Sequence, residues 1–149
     1  MTMERSLSKV INTIRTWCLA HPQIETFESK TLTEFVAQDQ RKYPLVWLDY
    51  SGIGPSAARG LWTISMPFYI LDRVERDYSN LDAVMSSTLL IVDDLLTIYN
   101  DNSCYYGFDF QDGASVSPWM LEFDDLVCGW QVSPIVQIGM SRSELSIPS

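Results

Sequence analysis

The middle of the chain, residues 61–100, shows two hydrophobic periods in succession. Over residues 61–71 large apolar residues occupy alternate positions, which is the period of a half-buried strand. The charged segment 72–77 then interrupts the pattern. Over residues 81–100 apolar residues recur at helical spacing, and Asp82 places a negative charge in the first turn, where the helix dipole favours it. This stretch therefore predicts a long strand, a charged turn and a long helix.

The apolar positions of the predicted helix cover more than half of its circumference. Leu89 and Leu95 belong to its main stripe and are expected in the core, whereas Leu90, Ile91 and Ile98 widen that stripe. A chain of 149 residues would not readily cover all of this surface by itself. We therefore expect some of it to meet copies of the same protein or a neighbouring protein.

The remaining elements follow from the same reasoning. Glycine, serine, alanine and proline dominate residues 51–60, which predicts a mobile, projecting loop, and residues 139–149 predict an extended tail. Pro67 and Pro134 each interrupt a strand, which indicates an edge or a bulge. The other predicted elements are an amphipathic helix at 4–20, a helical turn at 31–37, and strands at 24–28, 44–50, 106–110, 119–123 and 126–138. Residues 1–149 are thus expected to form a single α+β domain, an antiparallel sheet with two main helices packed on one face.

Charge is unevenly distributed along the chain. The formal net charge is -9, and residues 77–141 contain ten Asp or Glu residues and no Lys or Arg. Such a balance argues against a surface that grips nucleic acid, which needs clustered basic residues. The composition, with 46% hydrophobic residues, is that of a globular protein. We expect no signal peptide and no membrane-spanning segment, because no apolar run is long enough.

Candidate catalytic chemistry is sparse. His21 is the one histidine, and no GxSxG motif accompanies it. Cys18, Cys104 and Cys128 form no CxxC pair, which suits a reducing compartment and packing roles. The calcium-loop fragments near Asp109 lack the full set of ligands. We therefore predict no catalytic residues, no cofactor and no metal site.

The aromatic residues carry more information. Several lie in or beside predicted strands, and core packing is their simplest role. Because both faces of several strands carry large side chains, an interface role stays open for some of them. The candidate assembly residues are Arg59, Trp62, Tyr105, Tyr106, Trp119, Phe123 and Trp130.

The order of these segments resembles a family of small structural proteins of tailed bacteriophages. The resemblance covers residues 5–138, and its most specific pieces are LDRVERDYSN before the long helix and EFDDLVCGW near the end. Its parts are YPLVW at 43–47, FYILDRVERDYSN at 68–80, STLLIVDDLL at 87–96 and SPWMLEFDDLVCGWQVSPIVQI at 117–138. They are similar to the ring or neck proteins of crAss-like phages, which are related in architecture to tail terminator (tail completion) proteins.

The resemblance implies a non-enzymatic virion protein, made in the host cytoplasm. It would form a homo-oligomeric ring, six- or twelve-fold, that joins the portal to the tail and contacts adjacent portal, neck or tail proteins. DNA would pass through the lumen without specific binding, which an acidic lining would favour. No membrane contact is implied.

Two other classes of protein stay open from the residues alone. The acidic block at 77–141 would also suit a small acidic protein-binding or DNA-mimicking module. A small enzyme that uses carboxylates would need two acids converging in a pocket.

Overall fold

A computed structural model describes residues 7–37, 41–101, 108–111, 113–123 and 125–139. Its helices are α1 (Leu7–Ala20), α2 (Leu32–Ala37) and α3 (Leu81–Asp101), with a 3-10 turn at Tyr50–Gly52. Its strands are β1 (Thr26–Lys30), β2 (Leu45–Asp49), β3 (Gly54–Ala58), β4 (Leu61–Ser65), β5 (Phe68–Arg73), β6 (Phe108–Phe110), β7 (Ser115–Glu122), β8 (Leu126–Ser133) and β9 (Ile135–Gly139).

The strands form two sheets. A five-stranded sheet has the order β1-β2-β5-β8-β7, and a four-stranded sheet has the order β3-β4-β9-β6. All neighbouring strands are antiparallel except β1 and β2, which are parallel. The predicted α+β class is confirmed, as is the long helix α3. The second sheet was not predicted.

Two prolines mark the corner between the sheets. The prediction of one continuous strand over residues 61–71 is wrong, because the chain breaks at Pro67 into β4 and β5. The strand predicted over 126–138 breaks at Pro134 in the same way, into β8 and β9. The Met66 amide donates to the Pro134 carbonyl across the corner, at 3.1 Å. Proline cannot donate to a strand ladder, so both prolines stand where ladder pairing ends and the strand changes sheet.

The chain can therefore be described as one bent antiparallel ladder with two arms, residues 61–73 and 126–139. The first arm pairs with the second on both sides of the corner, β4 with β9 and β5 with β8. Strand β3 extends the ladder beyond the first arm, and β7 extends it beyond the second. Strands β3 and β7 consequently lie on opposite lateral edges of the ladder.

The five-stranded sheet has a different hydrophobic cluster on each face. Val46, Phe68 and Ile70 pack with buried side chains of α1 and α3, together with residues of the second sheet. The alternate positions, such as Trp47, pack with Phe35 of α2 in a second cluster. This alternation is what the period of two along β2 and β5 requires. Helix α2 therefore belongs to a different layer from the cluster that α1 and α3 share.

The prediction of a mobile loop at residues 51–60 is wrong, because most of this segment is strand β3. After the 3-10 turn, β3 pairs with β4 in a hairpin from Gly54↔Ser65 to Ala58↔Leu61. Arg59 and Gly60 form its two-residue connection, with φ values of 54° and 79°. Positive φ at both positions is the requirement of a type I′ turn, whose twist matches the flanking strands. The Gly-, Ser-, Ala- and Pro-rich composition of this segment does not indicate a strand, and the strand forms because the segment pairs with β4.

Candidate assembly surface

The β3–β4 hairpin brings together two of the predicted assembly residues, Arg59 and Trp62. Its base is part of the core, since Ile64 is only 6% exposed. Toward the tip, Trp62 pairs with Ala57 and is 40% exposed. Trp62 and Ile64 lie on the same face of β4, so the apolar face of the core continues outward onto an uncovered tip.

Trp119 and Phe123 lie inside an aromatic cluster of the domain itself. The Trp119 ring lies 4.5 Å from the Tyr69 ring and 5.8 Å from the Trp47 ring, centroid to centroid. Phe123 meets Phe35 of α2 edge-on at 5.7 Å. These rings join α2 to the sheet, so the packing of the chain itself accounts for their position.

Trp130 packs within the chain as well. It lies on the helix-facing side of β8, and its indole N–H donates to the Met85 carbonyl of α3 at 3.0 Å. A half-buried tryptophan with its one donor satisfied anchors the long helix to the sheet. Tyr105 and Tyr106 lie outside the described residues.

A second exposed apolar surface lies along β7 and was not predicted. Even-numbered residues of this edge strand share the sheet face on which α3 packs, as the pairs Met120↔Cys128 and Val116↔Val132 show. Yet Met120 is 48% exposed and Val116 is 37% exposed, so no described element covers them. We call the exposed apolar residues of this region the β7 strip; they are Leu89, Val116, Pro118 and Met120.

Leu89 joins the β7 strip through the flank of α3 on which it lies. It follows Met85 by four residues, and side chains at that spacing lie one above the other on a helix. Because Trp130 reaches the Met85 carbonyl from β8, this flank of α3 faces the β8–β7 side of the sheet. The prediction that Leu89 is buried is wrong, since it is 43% exposed; Leu95 is 2% exposed, as predicted. Helical period alone could not separate them.

The two exposed apolar surfaces differ in charge. Asp82 and Asp93 are exposed on α3 beside the β7 strip, Asp93 one turn after Leu89. Among the described residues, neither carboxylate makes an ion pair, whereas Asp94 pairs with His21. Arg59, at the hairpin tip, likewise has no hydrogen-bond or ion-pair partner in the described part of the chain. An uncompensated cation and two uncompensated anions thus stand beside separate apolar surfaces.

The histidine links two elements and has no free ring nitrogen. Its Nδ1 accepts from the Gln23 amide at 3.1 Å, so Nε2 carries the proton and donates to Asp94 at 2.8 Å. The pair ties the end of α1 to α3.

The most buried charges fix α2 and its surroundings. The Arg41 guanidinium donates to the Glu28 carboxylate at 2.6 Å and also contacts the Phe35 carbonyl. Lys30 approaches the other Glu28 oxygen at 3.2 Å. Arg41 stacks over the Phe35 ring at 4.1 Å. This network holds the chain around α2.

The buried thiols are packing groups. Burial raises the pKa of Cys18 to about 12 and also raises that of Cys128, so both are protonated at neutral pH. Over the described ranges, no three His, Cys, Asp or Glu side chains converge to hold a metal ion. In the same part of the chain, no helix is both long and apolar enough to cross a membrane.

Searches with protein-family models and against curated protein sequences found no match for this chain.

Proposed function

We propose that this chain is a structural subunit of a ring in the neck or tail of a tailed bacteriophage, where it joins the portal to the tail around the DNA channel. The observation that carries the proposal is the position of the two exposed apolar surfaces. The hairpin tip extends the ladder on the β3 side, and the β7 strip lies on the opposite edge.

Surfaces on opposite edges favour one mode of self-association. When unlike patches of identical subunits meet, the contact is heterologous, and repetition of the contact closes a ring if the rotation between neighbours is suitable. A two-fold dimer would instead use one patch twice. Trp62 and Met120 are both exposed and belong to residue types that are enriched in interfaces, and tryptophan is also among the residues that carry most of the binding energy.

Charge is compatible with a DNA channel. Exposed acidic residues of α3, such as Asp82 and Asp101, would repel phosphates if they faced a lumen. Such a lining would let DNA pass without binding it. The resemblance to ring and neck proteins of crAss-like phages supplies the biological setting, and ring partners above and below would be portal and tail proteins.

Particle imaging tests the proposal. Virions of the phage that encodes this chain should contain it at one level of the neck or tail, in a copy number that is a multiple of six. We expect antibody labelling or electron cryomicroscopy of purified virions to locate it there. Its absence from virions would refute the proposal, and a chain that is also monomeric would favour the acidic binding module instead.

A further inference from the structure

We infer that neighbouring copies of the chain join by inserting the β3–β4 hairpin tip of one copy against the β7 strip of the next, with Arg59 paired to Asp93. The inference rests on the proposed function for its setting, since it assigns the lateral contact of the ring. It commits to a second copy of this chain as the occupant of the β7 strip.

The hairpin tip has the chemistry of an inserted group. Leu61 and Trp62 are 39% and 40% exposed, on opposite faces of β4. Arg59 stands at the turn with a φ of 54°, a backbone conformation that side-chain-bearing residues rarely adopt. The usual residues at this turn position are asparagine, aspartate and glycine. An arginine there projects an unpaired guanidinium beyond two apolar side chains.

The β7 strip has the chemistry of a receiving surface. Its apolar residues lie between the uncovered face of an edge strand and a flank of α3, and Asp93 stands one turn from Leu89. Pro118 occupies the middle of β7 opposite Trp130. Because proline has no N–H, it interrupts any ladder that a further strand would form on this edge. The strip is therefore suited to side chains rather than to an added strand.

Charge complementarity selects a second copy. The chain carries a net charge of -9, so two copies repel unless their contact brings opposite charges together. Most basic side chains of the described residues already interact within the chain, such as Arg73 with Asp125 and Arg76 with Glu122. Arg59 is available, and it lies at the hairpin tip, on the edge of the ladder opposite the β7 strip. In a closed ring each subunit has two neighbours, so its Arg59 would pair with one neighbour and its Asp93 with the other.

Charge reversal tests the contact. In the purified full-length chain we expect Arg59→Glu and Asp93→Arg each to weaken self-association about tenfold, measured by sedimentation velocity across a concentration series. The double variant Arg59→Glu/Asp93→Arg should restore association to near the wild-type value. Asp101→Arg changes the charge of α3 on another flank and is the matched control, with an expected effect of about twofold or less. A double variant no better than the singles would overturn the inference.

Cross-linking tests the geometry independently of affinity. In a Cys104→Ser background, Arg59→Cys protein mixed with Asp93→Cys protein should give a covalent dimer with a short bismaleimide. Neither protein alone should do so, because the contact joins unlike patches. Efficient cross-linking of either protein with itself would overturn the inference. The inference would also be overturned if the mixture gave no cross-link and the wild-type chain stayed monomeric at millimolar concentration. The chain could be absent from virions and still give these association and cross-linking results. Failure of the proposed function can therefore be distinguished from failure of this contact.

Discussion

Two leucines of α3 allow a direct test of which side of the long helix is core. Leu95 is 2% exposed and packs with the cluster that joins α1, α3 and both sheets, whereas Leu89 is 43% exposed. Leu95→Ala removes three buried carbon atoms and leaves a cavity, which costs about 2–5 kcal/mol in well-packed cores. Leu89→Ala removes a side chain that water already reaches, and alanine is a better helix former, so its cost should be about 1 kcal/mol or less.

Urea unfolding, monitored by the circular dichroism signal of the helices, measures the change in unfolding free energy for both variants. The protein should be dilute enough to be monomeric. We expect a clear fall in the midpoint for Leu95→Ala with an unchanged slope, and a small shift for Leu89→Ala. Self-association should respond in the opposite order, since Leu89 belongs to the β7 strip. Equal losses of stability for the two variants, or a loss below about 0.5 kcal/mol for Leu95→Ala, would refute the assignment of the core face.

Two further predictions concern buried positions. Gly129→Ala should lower the free energy of unfolding by about 2–4 kcal/mol in thermal unfolding, because a Cβ at this position would lie 2.8 Å from the carbonyl carbon of Ile70 in β5. Gly54→Ala is the control, with an expected change within about 0.5 kcal/mol, because its Cβ would meet only one atom, at 4.0 Å. Equal effects of the two substitutions would contradict the close approach of β8 to β5. In the unfolded chain the Cys18 thiol has its ordinary pKa of 9.0, whereas burial raises the pKa to about 12 in the folded protein. Between these two pH values the native thiol keeps its proton while the unfolded thiol loses it, so the free energy of unfolding should fall as pH rises. The fall should be about 1.4 kcal/mol per pH unit steeper than in Cys18→Ala, measured by urea unfolding at a series of pH values, and parallel pH profiles for the two proteins would count against burial of the thiol.

The sequence was informative where local pattern and tertiary environment agree. Helix α3 begins and ends within a residue of its prediction because the first-turn Asp82 and the long apolar stripe both indicate the same element. Pro67 and Pro134 were recognised as strand interruptions for a physical reason, the missing N–H. The change from one sheet to the other at these prolines was not predictable, because Ile64 and Phe68, which lie on either side of the corner, are both buried. Alternation continues through the bend, so the pattern gives no sign that the strand changes sheet.

The candidate assembly surface was only partly predictable for a related reason. Arg59 is a candidate from a segment that the composition predicts to be a loop, and Trp62 is a candidate from a predicted strand whose two faces both carry large side chains. The β7 strip could not be named, because the exposure of Met120 depends on β7 being the last strand of its sheet. An alternating pattern states which residues share a face. It does not state whether another element covers that face, which topology alone decides.

The corner also connects the fold to the geometry of assembly. The hairpin tip belongs to the sheet on one side of Pro67 and Pro134, and the β7 strip belongs to the sheet on the other side. The angle between these two surfaces is therefore the bend of the ladder, which the Met66 amide and the Pro134 carbonyl brace across the corner. In a ring built from heterologous contacts, the rotation between neighbours fixes the number of copies. If hairpin and strip are the contacting surfaces, two prolines without donors do more than end strand pairing: they fix the angle at which one subunit meets the next.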